Sequence, residues 1–144
     1  MPNITGSFSG RATAQSAMAV PDVANHEVNL MHVSGVQRSP DDNWNNTRIH
    51  YWGISDLLDG RGTQHGYFVN EHEDGGRDHG TFEGKVAIIG GQMTIEGTWK
   101  FIDGTGKYKG LAGNGTYRGR MTAPGVFEDT WEGAYELAVQ TQAA

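Results

Sequence analysis

Glycine recurs too evenly along this chain to permit long helices, and too often beside aromatic rings to suggest disorder. There are 22 glycines in 144 residues, with only 4 prolines and with aromatic residues at 10%. That is roughly twice ordinary glycine usage. Glycine scattered among Thr, Tyr, Phe and Trp suits short, strongly twisted strands joined by tight turns, where it supplies positive φ or relieves a curved sheet. No ten-residue stretch carries helical periodicity, and the best candidate, SAMAVPDVAN, is broken by Pro21. The chain therefore reads as all-β, a barrel or a sandwich. Its length fits a single domain over residues 1–144, large enough to bury a core without disulfides.

Eight strands are predicted near residues 4–15, 26–37, 47–57, 63–72, 78–89, 92–102, 106–118 and 126–139, divided by turn chemistry such as DGRG, EDGGRD, GG, DGTG and APG. One long polar loop stands out at residues 38–46. A two-residue turn fixes which residues oppose each other across a hairpin. Gly90-Gly91 as such a turn sets Ile88 opposite Met93, Val86 opposite Ile95, Gly84 opposite Gly97 and Phe82 opposite Trp99. Gly75-Gly76 as the preceding turn sets Val69 opposite Phe82 and Glu71 opposite Gly80; Gly60-Arg61 then sets Trp52 opposite Val69 and His50 opposite Glu71. The face assembled in this way holds Arg48, His50, Trp52, Tyr67, Val69, Glu71, Phe82, Val86, Trp99 and Phe101, and is expected to point inward. Ile49, Tyr51, His72 and His79 fall on the outer face, with Ile49 and Tyr51 expected in a self-association patch. Alternation in the eighth strand sends Phe127, Asp129, Trp131 and Tyr135 inward.

A carboxylate beside an imidazole inside a barrel can orient and tune it as a general base. His50 and Glu71 are the candidates, with Arg48 and Tyr67 placed to stabilise a substrate oxygen. Trp52, Val69, Phe82, Trp99, Asp129 and Trp131 would line the pocket. Gly84 and Gly97, opposed on the inner face, remove two side chains from one layer and so favour a cavity. The plain alternative is that these residues fill a small barrel, which is just wide enough either to pack its own side chains or to hold one small ligand.

Several functions are disfavoured. Lys plus Arg number 11 against 17 for Asp plus Glu, giving −6 at pH 7, so the long-range field repels nucleic acid and anionic lipid. The absence of cysteine removes thiolate catalysis and Cys zinc sites. His65, His72 and His79 are spaced by seven, which on strands does not converge ligands, and no metal or cofactor is expected. GTGKYKGLAGNG lacks the ending and the context of a phosphate loop, and there is no Gly-x-Ser-x-Gly elbow. The N-terminus MPNITGSFSG has no basic and apolar leader and no stretch is long enough to span a membrane, so a cytoplasmic location is expected.

Residues 66–117 resemble the small bacterial barrels related to allene oxide cyclase and dirigent proteins, most of all their DUF3224 branch. The pieces that carry the likeness are GYFVNEH, HGTFEG and EGTWKFIDGTGKYKGLAGNG, with YWGISDLLDG upstream. The resemblance implies a single eight-stranded antiparallel β-barrel, a dimer or trimer, whose interior takes a hydrophobic small molecule. Three functions remain open. The first is a cofactor-independent isomerase, cyclase or lyase acting by proton transfer on a hydrophobic, oxygen-bearing, aromatic or polyketide-like molecule. The second is a carrier without chemistry, and the third a structural oligomer with a filled barrel.

Overall fold

A computed structural model describes residues 2–138. Eight strands form it: β1 (Asn3–Ala19), β2 (His26–Arg38), β3 (Arg48–Leu58), β4 (Arg61–Glu71), β5 (Arg77–Ile89), β6 (Gln92–Gly104), β7 (Ala112–Ala123) and β8 (Val126–Glu136). Consecutive strands pair antiparallel, and β8 returns to pair with β1, so the sheet closes into a barrel. Closure pairs the strand edges, a solution suited to a chain made almost wholly of strands.

Seven strands begin and end within a few residues of expectation. The seventh starts later, at Ala112, because Gly106–Tyr108 form a single 3-10 turn that buries the Tyr108 ring. Residue 139, the expected end of the eighth strand, lies outside the described residues.

The barrel has two unlike ends. One carries the tight connections at Asp59-Gly60 and Gly90-Gly91, where all four residues have positive φ. The other carries the long connections, residues 39–47, 72–76 and 105–111. Their side chains fold over the opening: Trp44, Tyr108 and Leu111 are each almost fully buried and join Phe68, Phe101 and Tyr135 in the largest apolar cluster. At the tight-turn end smaller clusters fill the interior, one around Val33 and Phe127, the other around Leu57, Val86 and Ile95.

The observed register upholds one hairpin and corrects the other two. Around Gly90-Gly91, Phe82 faces Trp99, Gly84 faces Gly97 and Val86 faces Ile95, as a two-residue turn requires. Between β4 and β5, however, Glu71 pairs with Arg77 across the five residues 72–76, and Val69 pairs with His79 where Phe82 was expected. The loop is wide because it holds itself together: the amide of His72 donates to the Gly76 carbonyl, that of Gly75 to the His72 carbonyl, and Asp74 accepts from the Gly76 amide. The resulting slip is by three residues. An odd slip turns a strand over, since side chains alternate with period two.

Between β3 and β4 the turn is Asp59-Gly60 instead of Gly60-Arg61, so His50 pairs with Val69 and Trp52 with Tyr67 where Glu71 and Val69 were expected; this slip of two keeps parity and passes the inversion on to β3. Arg48, His50, Trp52, Tyr67, Val69 and Glu71, expected inside, thus lie on the outer face. Trp52 is 39% and Tyr67 60% exposed. Ile49, Tyr51, Phe68, Asn70 and His72 take the interior, so Ile49 and Tyr51 are no surface patch. Strands β5, β6 and β8 have the expected parity, with Phe82, Trp99, Asp129 and Trp131 inside.

Candidate functional site in the barrel lumen

The middle of the barrel contains a cavity of about 80 Å³ whose exposed lining is almost wholly apolar. Its walls are rings set edge to face. Tyr51 meets Phe8 at 6.1 Å and Phe82 at 5.6 Å, Phe82 meets Tyr117 at 5.9 Å, and Trp99 meets Trp131 at 6.0 Å. Trp44, from the long β2–β3 loop, closes the wall toward the wide end. Both wall indoles are anchored: Trp131 Nε1 donates to Gln37 Oε1 at 2.7 Å, and Trp99 Nε1 to the Thr116 carbonyl at 3.1 Å.

Opposed glycines shape this space in an unexpected way. A Cβ on Gly84 or Gly97 would lie 2.6 or 2.7 Å from the Tyr117 hydroxyl. The room these glycines leave is therefore occupied by a side chain from β7, and Gln64 Nε2 donates to that hydroxyl at 2.8 Å. Gly119, paired with Asp129, does the same for a carboxyl group: its Cβ would sit 1.8 Å from Asp129 Oδ1.

Asp129 is the unusual member of the lining. It is 5% exposed, and its Oδ1 is buried without a hydrogen-bond partner. Water stabilises a carboxylate far better than this wall of rings does, so burial pushes its pKa from the ordinary 3.8 up to about 7. Burial raises the phenols nearby: Tyr51 lies well above its ordinary value, with the Asp129 charge adding to the rise. Tyr117 rises to about 12, also mainly from burial, with its hydrogen bond from Gln64 opposing the rise. Two more lining residues hold unpartnered buried atoms, Asn70 Oδ1 and Trp44 Nε1. Buried polar atoms ordinarily find partners, and these three lie around one cavity.

Above the lumen is a second polar group, hydrogen-bonded throughout except at Asn70 Oδ1. Asn70 Nδ2 donates to Asp78 Oδ1 at 2.9 Å, while Asp78 Oδ2 and His72 Nε2 form a short hydrogen bond. The other nitrogen of His72 donates to the Asn43 carbonyl at 2.9 Å, and the His72 ring stacks on Tyr108 at 3.8 Å. Tyr135 donates to Asp41 at 2.6 Å and Lys107 to Asn43 Oδ1 at 2.6 Å. This network holds the 39–47 loop, and with it Trp44, in the barrel mouth.

The structure thus brings Phe82, Trp99, Asp129 and Trp131 together in the lumen and leaves the proposed base, His50, with Glu71, Tyr67 and Arg48 outside it. Trp52 and Val69 are wall residues of the outer surface. Sequence reasoning missed Tyr51, Gln64, Asn70 and Tyr117. The alternation Gly113, Gly115, Tyr117, Gly119 carries the signal for Tyr117, since three small inward residues frame one large one. Trp44 had no periodic signal, being a lone ring in a polar loop. Among the described residues there is no group of three or more His, Asp or Glu able to hold a metal ion. No helix among them is long and apolar enough to cross a membrane.

No family model matches the chain, and no curated protein matches its sequence. A solved structure is similar in fold: a protein of unknown function from the DUF3224 family of Shewanella oneidensis MR-1, 16% identical, with a TM-score of 0.52, the match covering 94% of this chain and 98% of that one. At that identity the likeness concerns the fold.

Proposed function

We propose that the lumen is a binding chamber for a small, mostly apolar molecule bearing one hydrogen-bond donor, and that Asp129 accepts from that donor. The observation that carries this reading is Asp129 itself, a buried carboxyl whose Oδ1 has no partner on a cavity walled by rings. Leaving a buried charge or polar atom unpaired is costly, and a ligand that supplies the missing partner recovers part of the penalty. The sequence likeness of residues 66–117 to allene oxide cyclase and dirigent barrels is in keeping with a lumenal ligand.

Size narrows the class. An apolar cavity of about 150 Å³ takes benzene, and this one is about 80 Å³. A ring-sized ligand therefore requires a wall to give, and Trp44, carried on a loop, is the wall free of any strand. Phenol and toluene form a matched pair of probes, alike in shape and differing in the donor. Quenching of the lumenal tryptophans is expected to saturate with both, phenol binding about tenfold more tightly, the worth of one good hydrogen bond. Asp129→Leu removes that preference. Equal binding of the two by the wild-type chain, or no saturation with either, overturns the reading.

A second reading, proton transfer on the bound molecule without a cofactor, is favoured by one observation: a carboxyl with a pKa of about 7 is half ionised near neutral pH and can both take and give a proton. The base is then Asp129, with the Tyr51 and Tyr117 hydroxyls beside it. Catalysed exchange of the α-hydrogens of cyclohexanone with heavy water, lost in Asp129→Asn, is the expected result. Exchange no faster than in buffer leaves a carrier.

A further inference from the structure

Outside the lumen, one side chain from each of β1 to β4 joins a single directed series on the outer face. Thr13 stands where the β1–β2 register shifts between Ala12 and Ala14. Its Oγ1 lies 2.5 Å from Nδ1 of His32, whose Nε2 lies 3.3 Å from Nδ1 of His50, whose Nε2 lies 3.6 Å from Oε1 of Glu71. The imidazoles stack with an interplanar angle of 14°, and His32 stacks in turn on Trp52 at 4.8 Å.

The chemistry of each group sets the direction. A carboxylate only accepts, so the field of Glu71 favours a proton on Nε2 of His50 and leaves its Nδ1 as a lone pair. That lone pair accepts Nε2–H of His32, which leaves Nδ1 of His32 with a lone pair of its own. The hydrogen facing it is that of the Thr13 hydroxyl. Burial, with the neighbouring His50, lowers the pKa of His32 and keeps it a neutral base. Glu71 is also 3.7 Å from Arg77. Thr13 is exposed, whereas His32, His50 and Glu71 are half-buried, so the hydroxyl is the member of the series that a reagent meets first.

We propose that Thr13 is a nucleophilic hydroxyl, with His32 as its general base and His50 and Glu71 as positioning residues, and that this outer-face site accepts acyl groups from activated esters. Thr13 Oγ1 attacks the ester carbonyl carbon and forms the new C–O bond as its proton passes to Nδ1 of His32. The intermediate collapses, the bond to the leaving oxygen breaks, and that oxygen takes the proton from Nδ1. Atoms balance with no other reactant: an acyl group replaces the hydroxyl hydrogen. Trp52 and Tyr67, exposed on the next strands, offer apolar surface beside the series. This site is independent of the lumen and of whatever binds there.

The test is acetylation of the intact protein by p-nitrophenyl acetate, with each acetyl located by peptide mass spectrometry. A general base in place typically contributes ~10² or more, so Thr13 is expected to acetylate ~10²-fold faster than exposed threonines without an imidazole, such as Thr5. Thr13→Val removes that product and leaves the melting temperature unchanged. Glu71→Gln slows it several-fold at unchanged melting temperature. In the wild-type chain, ¹⁵N imidazole spectra are expected to show His32 and His50 both protonated at Nε2. Acetyl groups confined to lysines and the N-terminus, Thr13 no faster than Thr5, or a proton on Nδ1 of His32 overturns the proposal.

Discussion

Two aspartates are buried in this barrel about equally deeply, and they have opposite surroundings. Asp78 is 0% exposed and meets both His72 and Asn70; Asp129 is 5% exposed, and its Oδ1 meets nothing. Burial raises both pKa values, but at Asp78 the hydrogen bonds from His72 and Asn70 oppose the rise, whereas at Asp129 burial acts unopposed. A buried charge with its partners in place serves the fold: here it ties the β4–β5 loop to the Trp44 loop and closes the barrel mouth. A buried charge left without them weakens the fold, and a group that supplies the missing partner recovers part of that cost. The comparison separates a carboxyl tied into the fold from one left open toward the lumen, without any appeal to motif.

The largest expected effect tests the structural half. Asp78→Ala strands the His72 imidazole in the mouth, and breaking a buried pair by removing one member costs about 3–5 kcal/mol; urea unfolding is expected to show that loss together with exposure of Trp44. A loss within that of a surface substitution breaks the comparison at its firmer side.

Asp129→Asn is expected to act with the opposite sign. Between the unfolded pKa of 3.8 and the folded value of about 7, the native chain keeps a proton that the unfolded chain has released. Native stability therefore falls as pH rises through that window and levels off above it. At about 1.4 kcal/mol for each pH unit the full penalty is about 4 kcal/mol, which the amide does not incur. The variant is expected to be more stable than the wild type at pH 8, with a flatter profile between pH 4 and 7. An identical profile shows that Asp129 has a partner after all.

The smallest effect comes from a third carboxylate–imidazole group, at the surface. His26 lies 2.7 Å from Asp22 and 2.6 Å from Asp56, and these hydrogen bonds raise its pKa above 6.5. Its contribution is complete below 6.5 and lost as pH rises through the folded value. His26→Gln is expected to lower the melting temperature slightly at pH 5.5 and not at pH 9; equal loss at both shows that packing, not charge, is what His26 supplies.

How much of this was legible beforehand varied along the chain. Where a hairpin turn was as short as it looked, at Gly90-Gly91, every pair from Ile88–Met93 to Phe82–Trp99 followed from arithmetic. The EDGGRD segment looked equally short, yet the loop spans 72–76, because His72 turns inward to reach Asp78 and the Asn43 carbonyl. Those partners are distant in sequence or hidden by the loop itself. One odd slip then moved six expected pocket residues to the outside. His50 pairs with Val69 and Glu71 with Arg48, yet the His50 and Glu71 side chains still meet diagonally at 3.6 Å on the outer face, since an even slip leaves them on one side of the sheet.

The sequence by itself determined an all-β chain of eight strands and an inward row on β8 that includes Asp129, because glycine spacing and period-two alternation are local properties that each strand displays alone. Which face of β3 and β4 looks inward, what fills the gap at Gly84 and Gly97, and which aspartate goes unpartnered were decided only by the closed barrel. Each depends on contacts between residues far apart in the chain, and a single odd loop is enough to reverse a strand without altering the pattern written in it.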